Sequence, residues 1–359
     1  MLKFIIRRMS YGILVLFGVV VIVFFLFNVL PGDPARMMLG QRADAASIEA
    51  INKDLGLNKP LWLQFLKYIN DLSPVSIHNA TNKNSYNYLD DTKYSYKKLF
   101  NTGKSSVLVV KWPYLRRSYQ SKRKVSDIIK ETLPETFVLA LTAISIATLI
   151  GIFLGVLAAL KKGTFFDNFA LVFSALGISG PSFFIGIIFA WVFGFLLSDY
   201  TGLNMTGSLF TIDDYGNGEY LDLKNLILPA ITLGIRPLAI VVQLTRSSML
   251  DVLRNDYIRT AKAKGLSFYS VVFKHSLKNA LNPVVTAISG WFAGLMAGAV
   301  FVEFVFGWKG IGNEIVDALN MYDFPVVMGV VLLVTTIFVL LNIIVDVIYG
   351  LLDPRVRIS

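Results

Sequence analysis

Few side chains in this chain of 359 residues are placed to do chemistry. It has no cysteine and only two histidines, His78 and His275. Disulfides, thiolate metal sites, cysteine nucleophiles, a histidine zinc site and a Ser-His-Asp triad therefore all lack material. Thr102-Gly103-Lys104-Ser105 has the tail of a phosphate-binding loop, but such a loop needs a glycine five residues before its second glycine, and Lys98 stands there. An ordinary polar turn is the better reading. The stretch that carries information is Leu250–Pro283, where Asp256-Tyr257-Ile258-Arg259-Thr260-Ala261-Lys262-Ala263-Lys264-Gly265-Leu266 is followed by Lys274-His275-Ser276-Leu277-Lys278-Asn279-Ala280-Leu281-Asn282-Pro283. Two short helices fit, broken at Gly265 and stopped before Pro283. Ala261 and Gly265, four apart, are expected to form a small-residue face framed by Arg259, Lys262 and Lys264, which another protein could approach closely. A solvated basic loop is the competing reading, and the helix–glycine–helix form favours docking.

The elements that position this stretch are apolar. Hydrophobic residues make up 55% of the chain and charged residues 16%, with a mean hydropathy of +0.60, the composition of a membrane protein. Six runs are long enough to cross a bilayer: Met9–Gly32, Thr136–Leu160, Asn168–Ser198, Asn225–Thr245, Asn279–Val302 and Phe324–Val345, the last extending past Asp346 to Leu352. The first run follows Lys3, Arg7 and Arg8 but offers no small-residue cleavage site at Leu30-Pro31-Gly32-Asp33, so it reads as a retained helix rather than a signal peptide. With the N-terminus inside, the inner segments carry Arg246, Arg254, Arg259, Lys262, Lys264, Lys274 and Lys278 among their basic residues, against Lys224 and Lys309 in the short outer loops. That asymmetry places both termini in the cytoplasm. The net charge of +10 is then topological and lipid-facing, and nucleic acid need not be invoked.

Within the spans, Gly290, Gly294 and Gly298 recur every fourth residue and are expected to let the fifth helix pack closely against another helix of this chain or of a partner, making it a central helix. Gly151 and Gly155 repeat the pattern more weakly. Arg236 is the one basic residue well inside a span, a candidate for the translocation path or an interface; the other reading shifts the span to Ile231–Leu253 and leaves Arg236 near the outer boundary. Asp346 is explained by pairing with Arg355 or Arg357 rather than by a proton relay.

At the inner loop the chain resembles the coupling-loop signature of bacterial ABC importer permeases, most closely the dipeptide/oligopeptide/nickel branch. Thr245-Arg246-Ser247-Ser248-Met249-Leu250, Pro31-Gly32-Asp33-Pro34-Ala35, Ser179-Gly180-Pro181-Ser182-Phe183 and Asp353-Pro354-Arg355-Val356-Arg357 match the same branch in the same order. Where the wider permease pattern has Glu-Ala-Ala before the glycine, this chain has Arg259-Thr260-Ala261, as is usual in the peptide branch.

The resemblance implies an all-α polytopic protein with six transmembrane helices, the type I ABC importer permease fold, in a bacterial inner membrane. It implies a coupling loop of Tyr257, Arg259, Thr260, Ala261, Lys262, Ala263, Lys264, Gly265 and Leu266 that docks on cytoplasmic ATPase subunits. ATP and magnesium would be bound by those subunits, with no cofactor in this chain. A second homologous permease would complete the pathway, and an extracytoplasmic binding protein would deliver a peptide, or in the alternative nickel or another small solute. An ion-coupled secondary transporter is the reading of another class, but the five longest runs contain no Asp or Glu before Asp346.

The expected organisation is an N-terminal segment with the first span (1–30), an extracytoplasmic region (31–135) and a permease core (136–359) holding the coupling loop (246–282). Within 31–135, roughly Ser73–Trp112 departs from the family: it is rich in Asn, Ser, Lys and Tyr (Tyr86, Tyr88, Tyr94, Tyr96) and reads as an inserted subdomain. Ser106–Lys111 has strand character.

Overall fold

A computed structural model describes residues 2–29, 48–49, 52, 56–82, 85–101, 105–213, 216 and 218–352. The phosphate-loop-like Thr102-Gly103-Lys104, the Pro31–Ala35 motif and the Asp353–Arg357 motif lie outside the described residues. The chain divides into two compact units, one built on Met1–Gly12, Thr132–Glu314 and Thr336–Ser359, the other on Ile13–Glu131 and Ile315–Thr335.

The helices follow the apolar runs, because in lipid each backbone N–H and C=O must find its partner within the segment. They are α1 (Leu2–Val29), α2 (Leu61–Leu72), α3 (Val125–Leu160), α4 (Phe165–Ser179), α5 (Ser182–Trp191), α6 (Lys224–Leu253), α7 (Asp256–Ala263), α8 (Asn282–Gly298), α9 (Val300–Phe306), α10 (Ile311–Asn320) and α11 (Phe324–Leu352). Four of these are long and apolar enough to cross a membrane, and two bent pairs bring the number to six. The third run, read as continuous over Asn168–Ser198, is broken: α4 and the α5 segment through Leu196 meet at 106°. Pro181 causes the break, since it has no N–H to continue the helix and excludes the helical conformation at Gly180; Gly180 is extended, with ψ 137°.

In the first unit α6 is the central helix. Its most apolar window is 61% buried, against 33% for α3 and 28% for α11. Glycines on its neighbours let their backbones reach it. A Cβ on Gly155 of α3 would stand 2.6 Å from Thr245 Cβ and 2.8 Å from the Val242 carbonyl oxygen, and one on Gly151 would stand 2.7 Å from Val241. Gly177 of α4 faces Ala239 and Ile235, and Gly186 of α5 faces Thr232. For the fifth span, nothing lies within 4 Å of a Cβ on Gly290 or Gly294, so among the described residues of this chain those glycines pack against no neighbour, and of the two expected packing partners this chain supplies none. Gly298 lies on α8, but its surroundings are outside the described residues.

In the second unit, α1 and α11 hold α2 through Val23, Phe24, Tyr68, Met328 and Leu332. Beyond α2, β1 (Val75–Asn79), β2 (Tyr96–Asn101) and β3 (Ser106–Lys111) form an antiparallel sheet in the order β1-β3-β2, with Ile77 opposite Leu108 and an irregularity between Lys98 and Phe100. The polarity of its alternation is unusual. The covered face carries Ser76, His78, Val107, Val109 and Lys111, while Val75, Ile77, Val110 and Phe100 are exposed. After the sheet, Asp323 gathers the Ser118 hydroxyl and the Tyr119 N–H (2.8 Å), fastening the return to α3. A two-stranded ribbon, β4 (Phe210–Ile212) with β5 (Glu219–Leu221), precedes α6.

The Gly155 contact gives a direct test. Gly155→Leu overpacks the α3–α6 seam and should cost about 1–3 kcal/mol, read as a lower midpoint in thermal unfolding of the purified chain, whereas Gly290→Leu should leave the midpoint of the isolated chain unchanged.

Candidate functional site

The segment after α6 is built from short elements. After α6 ends at Leu253, Asn255 in an extended conformation starts α7. Asp256 stands at the first turn of α7 and Lys262 at its last, each complementing the helix dipole. The helix stops with the Leu266 N–H donating to the Ala261 carbonyl (3.3 Å) and the Gly265 N–H to the Lys262 carbonyl (3.0 Å). That is a Schellman cap, and it requires the left-handed residue that Gly265 supplies with φ of 77°. A π-helical stretch, Ser270–Leu277, leads toward α8.

The structure assigns opposite faces to residues expected on one. Ile258 and Ala261, three apart, are buried against Val271 with Val252 and Leu253 beside them. Ala261 is therefore corrected: it is small so that α7 can lie on the π-helical stretch, and it offers no outward face. Tyr257, Arg259, Thr260, Lys262, Ala263, Lys264, Gly265 and Leu266 are exposed. The sequence reading missed three further exposed residues, Phe268, Tyr269 and Phe273, with the last two rings 4.6 Å apart. The signal was present as aromatics in a stretch otherwise basic. The surface is thus an apolar, aromatic patch edged by cations. Asn279 Nδ2 donates to the Tyr257 hydroxyl at 2.9 Å, tying α7 to the residues just before α8.

Upstream, Arg246 forks onto Asp167: Nη2 donates to Oδ2 at 2.7 Å and Nε to Oδ1, while Asp167 also accepts the Gly163 N–H at 2.9 Å. Asp167 is 2% exposed. This bidentate pair holds the turn before α4 against α6. Arg236 is exposed; its Nη2 lies 3.4 Å from the carbonyl of Ile178, beside the α4–α5 break. No acidic partner for it occurs among the described residues. Asp346 pairs with Arg8 (3.1 Å), whereas the expected Arg355 and Arg357 are outside the described residues.

Glu303, one residue beyond the apolar run as read, is the buried acid that sequence reading missed. Its Oε1 accepts from Thr136 Oγ1 (2.7 Å) and its Oε2 from the Gly312 (2.7 Å) and Asn313 (3.1 Å) N–H groups. The Ile311 N–H donates to the same Thr136 hydroxyl at 2.8 Å. A side chain on Gly310 or Gly312 would strike the carboxylate, so the two glycines after the run were the legible trace of it. The carboxylate is engaged on both oxygens and acts as a loop anchor.

In the second unit, the covered sheet face meets α2 across polar groups. Lys67 Nζ lies 3.3 Å from Asp71 Oδ1 and 2.9 Å from the Tyr94 hydroxyl, which donates to Asp71 at 2.7 Å. His78 Nε2 is 3.1 Å from Ser76 Oγ. Burial, with Lys67 and Lys111 adding to it, pulls the His78 pKa down to about 4, and burial lowers that of Lys111 to about 8; His78 is neutral at pH 7. No group of three or more metal-ligating side chains occurs among the described residues.

Residues 151–358 match the family described as binding-protein-dependent transport system inner membrane component, and residues 1–89 match its N-terminal counterpart. A di/tripeptide transport system permease protein of Pseudomonas aeruginosa is 37% identical, covering 99% of both chains. A dipeptide transport system permease protein of Alkalihalophilus pseudofirmus is 33% identical over 99% of this chain and 100% of its own. A glutathione transport system permease protein of Escherichia coli is 35% identical over 99% of each. Among solved structures, an amino acid ABC transporter is similar over 64% of this chain and 94% of its own at 14% identity, with a TM-score of 0.45, a likeness too distant to say more.

Removing one side of the Arg246–Asp167 pair strands a buried charge, which typically costs about 3–5 kcal/mol. Arg246→Ala should expose the 161–167 turn to limited proteolysis in membranes, and the double variant with Asp167→Ala should recover part of the protection.

Proposed function

Because this chain belongs to the binding-protein-dependent transport system inner membrane components, we propose that it is the transmembrane permease of an ATP-driven importer that moves peptides across the bacterial cytoplasmic membrane. The observation that carries the reading is the full-length likeness to dipeptide permeases, which covers the coupling segment as well as the spans. Nickel and other small solutes are the alternative cargoes. An ion-coupled transporter would use a buried acid free to exchange protons, and Glu303 is already engaged by Thr136 and two backbone N–H groups.

In this reading both termini and the segment 246–282 face the cytoplasm. The exposed residues of α7 and its cap, from Tyr257 to Leu266, dock with Phe268, Tyr269 and Phe273 in a groove of an ATPase subunit. That subunit binds ATP and magnesium and does the hydrolysis. The basic edge suits an acidic groove, and the aromatic patch supplies the desolvated centre that protein interfaces favour. A second homologous permease completes the pathway. Gly290 and Gly294, uncovered in this chain, are its packing stripe, and Arg236 faces the path or that same subunit, where an anionic partner relieves its charge. Closure of the ATPases then rocks the two permeases between inward- and outward-open arrangements.

The sheet is the docking face for the extracytoplasmic binding protein. Its support is the outward apolar face, with Val75, Ile77, Val110 and Phe100 exposed and Trp112 80% exposed just after β3. Aromatic and aliphatic side chains give contact area at low entropic cost.

Gly265 has open space where a Cβ would stand, so a substitution there costs only backbone strain, about 1–2 kcal/mol for a left-handed β-branched residue. Gly265→Val should lower peptide uptake and ATPase co-purification with membrane insertion intact, while Gly265→Asn, which tolerates that conformation, should keep both. Unchanged uptake in the valine variant removes the coupling assignment. For the sheet, Phe100→Ser with Val110→Ser should weaken binding of the purified binding protein to the complex, measured by surface plasmon resonance, and leave ATPase assembly unaffected.

A further inference from the structure

α2 has three sides, and two of them are occupied. Its polar stripe serves the neighbouring loops and sheet: Gln64 Nε2 donates to the Lys59 carbonyl (2.8 Å), Lys67 reaches Asn87 Oδ1 (3.1 Å), and Asn70 Nδ2 donates to the Ile77 carbonyl (3.1 Å). A second side packs Phe65, Tyr68 and Leu72 on α1 and α11, among Val19, Val20, Val23, Phe24 and Phe27. The Phe24 ring lies 5.1 Å from Phe65 and 5.5 Å from Tyr68. The third side, Trp62 and Leu66 one turn apart, is apolar and uncovered, with exposures of 62% and 53%; Leu61, on the packed side but at its first turn, is 45% exposed as well.

The contacts with α1 fix the depth of that side. The apolar run of α1 is Ile5–Phe27, and Val20 stands seven residues inside its end, about 10 Å along a helix. A helix that packs on Val20–Phe27 lies level with the outermost turns of a span. Its uncovered side is also continuous with the lipid-facing side of α1. Phe25 lies 5.7 Å from the Phe65 ring, and Ile22, Phe25 and Leu26 are themselves exposed. Lys59, exposed two residues before Leu61, stands where a lysine meets phosphate head groups.

We propose that α2 is an interfacial membrane helix, with Trp62 and Leu66 seated among lipid acyl chains beside the end of the first span and Lys59 at the head-group phosphates. The partner is the bilayer itself. The assignment rests only on α1 crossing the membrane, and it is independent of the cargo and of which side the sheet faces. A tryptophan at the boundary and an amphipathic helix with its apolar side in the acyl region are the usual chemistry of such an anchor. Its consequence is that the sheet following α2 is carried on a support embedded in the membrane surface.

The chain has no cysteine, so single labels report cleanly. Spin labels at Trp62→Cys and Leu66→Cys are compared with Leu26→Cys on α1 and Lys97→Cys on β2. The assembled transporter, with cysteine-free partner subunits, is placed in nanodiscs of phosphatidylethanolamine and phosphatidylglycerol. Collisions with oxygen, which concentrates in lipid, are measured against collisions with a water-soluble nickel chelate. The expected result is an oxygen-favoured ratio at 62 and 66, like that at 26, and the reverse at 97. A chelate-favoured ratio at 62 and 66 overturns the proposal by placing the side in water. Low collision rates with both reagents overturn it by placing another subunit there, as does a lipid-like ratio that disappears when the binding protein is added. Leu66→Cys reads the same side if Trp62→Cys fails to assemble.

Discussion

A chain in hydrocarbon must satisfy its own polar groups, since no water reaches them. The break between α4 and α5 removes the Pro181 N–H from the ladder and leaves carbonyls of the last turn of α4 without helical donors. The structure meets this locally: the Gly180 N–H still donates to the Leu176 carbonyl at 3.2 Å, the Ser179 hydroxyl takes the Ala175 carbonyl at 2.7 Å, and Arg236 approaches the Ile178 carbonyl. The same demand explains Glu303. A carboxylate at that depth survives because one hydroxyl and two backbone N–H groups converge on it, and those N–H groups belong to the turn that starts α10. What would be a liability becomes the anchor of the loop.

Close approach, rather than side-chain bulk, organises the helices around α6. In lipid there is no hydrophobic drive between apolar helices, so contact area and backbone proximity decide which surfaces meet. Gly151, Gly155, Gly177 and Gly186 sit on three different helices and all face α6. Gly234, on α6 itself, returns the approach with a Cβ position 2.9 Å from the Ala143 carbonyl oxygen of α3. The stripe on α8 has the same spacing and no such neighbour. Spacing marks a surface able to be approached; it does not say which helix approaches it.

That distinction sets what was legible in the sequence. Apolar length located all six spans, because the bilayer imposes it residue by residue, and the Gly265 break was legible because only a left-handed residue closes a Schellman cap. Pro181 was visible in the sequence, yet a charge-free run on both sides of it hid a 106° bend. Glu303 was missed for a related reason: a window that ends at the first charge cannot show that the charge is buried. Ala261 was put on the wrong face because small residues at four-residue spacing suggest an open surface, whereas Ile258 three residues earlier already marked that side as covered. The sheet in Ser73–Trp112 was only partly visible. β1 turns Ser76 and His78 inward and Val75 and Ile77 outward, and β2 is exposed along nearly its whole length, so the usual apolar-in rule gave no help with those two strands.

The segment between α6 and α8 is held unevenly. α7 touches the rest of the chain along one narrow side, Ile258 and Ala261 on Val271, and by one polar tie, Asn279 to Tyr257. Both contacts lead into the π-helical stretch and the turn before α8, and π-helical segments are rare and frequently placed at functional sites. The exposed side of α7 is therefore connected to α8 through that stretch. The last turns of α6, just before α7, are held differently, since the Arg246–Asp167 fork joins them to α4 through two hydrogen bonds with Asp167 buried. The end of α6 is thus fixed to α4 by a charged fork, and α7 is joined to α8 by the π-helical stretch. α8 also packs directly on α6, so it is held by that contact as well as through the π-helical stretch, while its stripe at Gly290 and Gly294 meets no neighbour within 4 Å.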